Sequence, residues 1–231
     1  MKAVLLDIEG TTTPIDFVHK ALFPYAKEQI GRYVEQHFGE LSAEITQLIG
    51  ESALDESYTL PVDPTEPGSV SAYLEYLISV DRKSTPLKSI QGNLWKEGYE
   101  SGELKSIVYS DVPTAFERWK TAGKTIAIYS SGSVLAQKLL FRYTDHGDLT
   151  PLISANFDTT IGHKRDRDSY SKIALELTFS PADILFLSDI PEELDSASDA
   201  GLKTRLVVRP GNAEHPAAER FASVTSFDQM D

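Results

Sequence analysis

Asp7 and Glu9 straddle a single isoleucine at the end of an apolar run, residues 3–6, and Gly10 and Thr11 follow directly. A strand buried on both faces has no use for two carboxylates, and a surface turn needs no such hydrophobic lead-in. The run 182–190, ADILFLSDI, delivers Asp189 in the same way, and 124–133, KTIAIYSSGS, delivers Ser130 and Ser131 with Gly132 behind them. In open parallel sheets the carboxyl ends of the strands form the ligand-binding edge. Three carboxylates on one edge repel one another unless a cation lies between them, and hard oxygen ligands suit magnesium. Each residue alone reads more simply as a turn residue or helix cap. Their joint placement on strand ends carries the chemical reading.

The elements that must position these residues can be read from periodicity. Short apolar runs without alternation occupy 3–8, 106–112, 124–133, 182–190 and 202–211, as expected for strands buried on both faces. Helical patterns lie between them at 112–124, 133–143, 169–179 (with Ser169 as its N-cap) and 191–201. This alternation predicts an α/β fold: a doubly wound parallel sheet with right-handed crossovers. One region interrupts it. Residues 16–104 contain no strand pattern, only four helical stretches and a loop over 54–69, with Pro24 expected to bend or break the first helix. The expected organisation is a discontinuous core, 1–15 and 105–231, carrying an inserted all-helical cap over 16–104.

Composition narrows the class of function. The chain has 231 residues and a formal net charge of −13, which argues against binding a phosphate backbone. It contains no cysteine, hence no disulfide, thiolate nucleophile or zinc knuckle. No run approaches the ~20 apolar residues of a membrane span. The expectation is a cytoplasmic monomer that acts on a small molecule, with neither nucleic acid nor membrane as partner.

The order of these residues resembles the haloacid dehalogenase-like phosphohydrolases. Their first motif, D-x-D-x-T, is matched by Asp7-Ile8-Glu9-Gly10-Thr11, their strand-end hydroxyl by Ser130-Ser131, their lysine by Lys164 in IGHKRDRDSY, and their final acid by Asp189 in FLSDIPEE. The longer strings LLDIEGTTTPIDFVHKALFPYA, NLWKEGYESGELKS, YSSGSVLAQKLLF and NFDTTIGHK are similar to the enolase-phosphatase family of methionine salvage, where glutamate at the position of Glu9 is the ordinary form.

The resemblance implies a Rossmann-like core and a magnesium-dependent reaction. Asp7 would be the nucleophile and Glu9 the acid and base, with Lys164 a fixed positive charge. Ser130, Ser131, Gly132, Lys164 and Thr11 would hold phosphate, with Thr11 nearly as readable as a structural hydroxyl. Asp7, Asp189 and Glu9, the last through its backbone carbonyl, would hold Mg2+. Glu193 reads equally as holder of a metal-bound water or as an acid favouring its helix's first turn. Lys172 is a weaker rival to Lys164. His163, one residue from Lys164 in an extended segment, should face the other way.

The implied substrate is 2,3-diketo-5-methylthiopentyl-1-phosphate, enolised and then dephosphorylated to the acireductone 1,2-dihydroxy-3-keto-5-methylthiopentene. The insert should close over it, with Trp95, Lys96, Glu97 and Tyr99 as candidates for contact or simply as parts of an amphipathic helix. Two other readings stay open: a magnesium-dependent phosphatase for another small phosphoester, without the enolase step, and a non-catalytic binding protein on the same scaffold.

Overall fold

A computed structural model describes residues 1–216 and 218–230. Six parallel strands form one sheet in the order β3-β2-β1-β4-β5-β6. They are β1 (Ala3–Leu6), β2 (Thr125–Tyr129), β3 (Ala155–Phe157), β4 (Ile184–Ser188), β5 (Lys203–Val207) and β6 (Ser223–Val224). The chain builds outward from β1 through β2 to β3, then returns to the other side of β1 for β4, β5 and β6. The reversal therefore falls between β1 and β4, where Leu5 pairs with Phe186. Crevices open at such switch points, and Asp7 stands at this one.

The central strands are covered on both faces. Ala3, Leu5, Ala127, Tyr129, Ile184 and Phe186 share a core with Tyr170 and Ile173 of α8 (Arg167–Glu176) and with Leu194 and Ala197 of α9 (Pro191–Asp199). The alternate residues Val4, Leu6, Ile126 and Ile128 are equally buried. Against β2 packs α6 (Asp111–Thr121), whose Phe116 and Trp119 are fully enclosed beside Phe141 and Phe227. Each such side chain contributes ~1.5–3 kcal/mol by leaving water. That burial fixes the strand ends on which the polar residues stand.

The chain divides into two compact units, Met1–Val18 with Lys105–Asp231, and His19–Leu104. The second is helical: α2 (Phe23–His37), α3 (Ser42–Ser52), α4 (Pro67–Ser79) and α5 (Thr85–Ser101) pack through Ile30, Leu48, Leu74 and Ile90. Pro24 does interrupt the first helical pattern. A single turn, α1 (Ile15–Phe17), runs into a π-helical turn at Val18–Leu22, and α2 begins at Phe23, with Pro24 where the missing N–H costs nothing. Gly98 leaves room for Tyr25, whose hydroxyl would stand 2.6 Å from a Cβ at that position. Among the described residues no helix is long and apolar enough to cross a membrane.

Three expectations need correcting. The run 106–112 is not a strand: Ser106 makes an isolated bridge to Thr144, and the amides of Val108 and Tyr109 go to the Asp145 side chain and the Thr12 carbonyl. The third strand is instead Ala155–Phe157, a half-buried edge too short to carry an apolar pattern. The helix expected from Ser169 starts earlier, at Arg167, capped by Asp166; Ser169 is buried and donates to the His163 carbonyl.

Candidate active site

Asp7 continues β1 by one residue, its amide donating to the Leu187 carbonyl at 3.0 Å. The chain then folds back tightly. The Ile8 carbonyl accepts from the amides of Thr11, Thr12 and Thr13, and Gly10, at φ +68°, donates to Thr13. Only glycine adopts that conformation without strain, and here space forbids a side chain as well. A Cβ on Gly10 would stand 2.7 Å from Asp189 Cγ and 2.9 Å from Asn212 Oδ1.

Lys164 reaches this loop from the segment after β3. Its Nζ lies 2.6 Å from Asp7 Oδ1 and 2.7 Å from Glu193 Oε2. The segment that carries it is fastened by side chains. Tyr170 donates to the Lys164 carbonyl at 2.6 Å, Tyr129 to the Gly162 carbonyl at 3.0 Å, and Ser169 to that of His163. His163 is exposed and turned away, accepting at Nδ1 from the Arg165 amide. Lys172 lies at the surface, its ammonium on the Ile161 carbonyl.

Glu193, in the first turn of α9, points to Lys164, and Ser188 donates to it at 2.9 Å and to Asp7 Oδ2 at 3.4 Å. Ser188 ends β4 and was missed in the sequence because it looks like one more small residue of the strand. Asp189 follows it. Its Oδ1 is sealed from solvent and has no hydrogen-bond partner among the described residues.

The electrostatics follow from enclosure. Burial alone would lower the pKa of Lys164, but the charges of Asp7 and Glu193 and their hydrogen bonds more than reverse that, so its pKa is raised. Asp189 is pushed up to about 7, first by burial and then by the charge of Asp7. Glu193 is also raised, by burial and Asp7 against the pull of Lys164. Negative charge is thus in excess at the Asp189 side of the loop. A buried carboxylate whose Oδ1 lacks a donor, set beside Asp7, fits a divalent cation. Among the described residues no three acidic, histidine or cysteine side chains gather to hold an ion by themselves. Asp189 and Asp7 alone would suit only an ion that keeps several waters.

Ser130, buried at the end of β2, accepts from the Gly132 amide at 3.2 Å, while Ser131 is exposed beside it. Helix α7 (Val134–Arg142) starts two residues beyond Gly132. Its N-cap is Ser133, and the carboxylate of Asp158 already accepts from Val134. The loop 130–132 thus precedes a helix end at which Ser133 is the N-cap and Asp158 accepts from the first amide. Thr11 is fully enclosed, which favours loop shaping over phosphate contact. Glu9 is partly exposed at the turn. Trp95 and Tyr99 are buried within the helical unit, Trp95 donating to the Leu22 carbonyl, and Glu97 pairs with His37 there.

Two further residues emerge from the turn after β5. Arg209 Nε donates to the Thr11 carbonyl at 3.1 Å, and its guanidinium pairs with Asp111 at 2.9 Å and lies over the Tyr109 ring. Asn212 Nδ2 donates to the Gly10 carbonyl at 2.9 Å.

Comparison with known proteins supports one grouping. Residues 1–201 match the haloacid dehalogenase-like hydrolase family. The chain is 50% identical over 229 residues to "Enolase-phosphatase E1" of Leptospira borgpetersenii serovar Hardjo-bovis, covering 98% of this chain and 96% of that one. It is 48% identical to the protein of the same name from Synechococcus elongatus, with the same coverage. The crystal structure of the UTR4 protein of Saccharomyces cerevisiae superposes with a TM-score of 0.80 at 33% identity, over 99% of both chains.

Proposed function

We propose a division of chemical labour that proceeds from one fact: the chain belongs to the haloacid dehalogenase-like hydrolase family and, within it, to the enolase-phosphatases of methionine salvage. It is an enzyme, and the substrate we assign is 2,3-diketo-5-methylthiopentyl-1-phosphate. The observation that carries the mechanism is the 2.6 Å contact between Lys164 Nζ and Asp7 at the switch point of the sheet.

In the first step the Glu9 carboxylate takes a proton from the carbon next to a ketone, and the enolate oxygen so formed takes a proton from solvent, giving the enol phosphate. Asp7 then attacks phosphorus, the P–O bond to the enol breaks, and Glu9 returns the proton to the departing oxygen. Water, deprotonated by Glu9, attacks the aspartyl-phosphate, releasing inorganic phosphate and restoring Asp7. Lys164 holds Asp7 in place and offsets charge gathering on the equatorial oxygens. Ser130, Ser131 and the Gly132 region receive the phosphoryl group. Asp7, Asp189 and the Glu9 carbonyl would hold Mg2+, which supplies further neutralisation between nucleophile and phosphate.

The test is to supply the diketone phosphate and follow enol absorbance and phosphate release together. Asp7→Asn should accumulate enol and release no phosphate, whereas Glu9→Gln should lose both. Phosphate appearing with no enol or acireductone, or wild-type turnover by Asp7→Asn, would overturn the assignment.

A further inference from the structure

The turn Arg209-Pro210-Gly211-Asn212 belongs to none of the motifs that suggested the chemistry, yet it grips the loop of the nucleophile. Asn212 Nδ2 donates to two carbonyls, Gly10 at 2.9 Å and Val207 at 3.3 Å. Two acceptors on one side settle which end of the amide is nitrogen. Its oxygen therefore faces the other way, toward the edge of Gly10 that also meets Asp189. A Cβ built there would stand 2.9 Å from Asn212 Oδ1 and 2.7 Å from Asp189 Cγ. Asn212 Oδ1 and Asp189 Oδ1 are both sealed from solvent, and neither has a hydrogen-bond partner among the described residues.

A buried acceptor without a donor costs ~1–3 kcal/mol. Here Asn212 Oδ1 and the Asp189 carboxylate, which turns its Oδ2 to that Cβ position and carries the orphaned Oδ1 on the same carbon, flank one small residue, so a single donor species could satisfy both orphaned oxygens. Water in the hydration shell of a divalent cation is one, since magnesium keeps several waters and polarises their hydrogens outward. Resting on the magnesium-dependent reading above, we propose that Asn212 is a positioning residue for the cation. Its Oδ1 accepts a hydrogen bond from a water bound to the ion that Asp189 holds, and its Nδ2 fixes the Gly10 carbonyl so that the nucleophile's loop and the ion move as one piece. The rival explanation is a proton shared between Asp189 and Asn212, with no part for the ion.

The two explanations predict opposite signs. Calorimetric titration of the whole protein with Mg2+ alone gives the dissociation constant, and melting in EDTA gives metal-free stability. Asn212→Ala should weaken Mg2+ binding about tenfold or more, as loss of an outer partner of a metal site does. Unchanged or tighter binding would overturn the proposal, because a purely structural tie lowers only the metal-free melting temperature and a shared proton competes with the ion. Asn212→Asp keeps an acceptor oxygen and drops the donor. It should melt lower without metal yet bind Mg2+ at least as tightly as the wild type, and it decides the matter if the alanine variant does not fold. Tenfold weaker binding by Asn212→Asp would also overturn the proposal. Asp189→Asn is the control: retained Mg2+ binding there would remove the magnesium reading itself and the proposal with it, whereas its loss beside an unaffected Asn212→Ala would remove the proposal alone.

Discussion

Lys164 decides the charge balance of the site, and replacing it is the severest test of that account. Its side chain is 7% exposed, as is that of Asp7, and Glu193 is 10% exposed, so water screens neither contact. Lys164→Met keeps most of the stem's volume but leaves two buried carboxylates without their cation. Breaking a buried pair by removing one partner costs ~3–5 kcal/mol. At this chain length each kcal/mol moves the melting temperature by ~2–4 °C, so the metal-free variant should melt about 10 °C lower at pH 7. The pH dependence has a definite sign. The lysine's folded pKa is raised, so its stabilising effect is complete below the ordinary lysine value of ~10.4 and is lost only as pH climbs through the raised one. The deficit should therefore persist from pH 7 to 9 and shrink in acid, where Glu193, raised by its burial, takes up a proton. Adding Glu193→Gln to Lys164→Met should restore at least ~1 kcal/mol, since one unpaired charge is gone. Phosphate release should stay ~10²–10³-fold down in both, because Asp7 still lacks its ammonium. Calorimetric melts in EDTA and phosphate assays with magnesium would refute the reasoning if Lys164→Met melted within about 2 °C of the wild type, or if the double variant were no more stable than the single one.

Three further outcomes follow from the same geometry. Because Asp189 is raised to about 7, its contribution to metal-free stability is greatest below the ordinary carboxylate range and declines as pH rises through about 7. Metal-free melting temperatures should fall between pH 5 and 8, while Mg2+ affinity, which needs the ionised carboxylate, should rise up to about tenfold per pH unit below 7 and level off above it, as calorimetry would register. Gly10→Ala forces a methyl into Asp189 and strains a φ of +68°, so Mg2+ binding and phosphate release should both drop at least ~10²-fold with the fold retained by circular dichroism. Ser130→Ala removes the acceptor of the Gly132 amide, and inhibition by inorganic phosphate should weaken about fivefold, corresponding to one ~1 kcal/mol hydrogen bond.

The candidate site residues were legible because each follows an apolar run on a strand end or belongs to a short string with fixed spacing. Asp7, Asp189 and Ser130 announce themselves in this way, and the run before each is also the strand that places it. The same rule misled at 106–112, where an apolar run with β-branched residues pairs only at the Ser106–Thr144 bridge and then bonds to separate loops, and it passed over Ala155–Phe157, an edge strand whose half-buried side chains make no pattern. The helix start near 167 offered several capping residues within four positions, and tertiary demand settled it. Ser169 is drawn inward to hold the Lys164 segment, which leaves the cap to Asp166.

The residues that hold the site were not legible, and the cause is chain separation. Arg209 meets Thr11 across 198 residues, Asn212 meets Gly10 across 202, and Ser188 meets Asp7 across 181. No local spacing can encode a partner that distant; only the parallel sheet, by bringing the ends of β1, β4 and β5 to one edge, makes them neighbours. Glu193 shows how the same constraint changes a residue's meaning. From sequence it stands four places after Asp189, as ready to face a metal-bound water as to face solvent. Helix α9 begins at Pro191, and from its first turn the carboxylate reaches Lys164. An acid that the string leaves evenly between a metal-bound water and its helix's first turn is found on the lysine. On the proposed cation side the negative charge then rests on Asp189 and Asp7, and there Asn212 presents its oxygen.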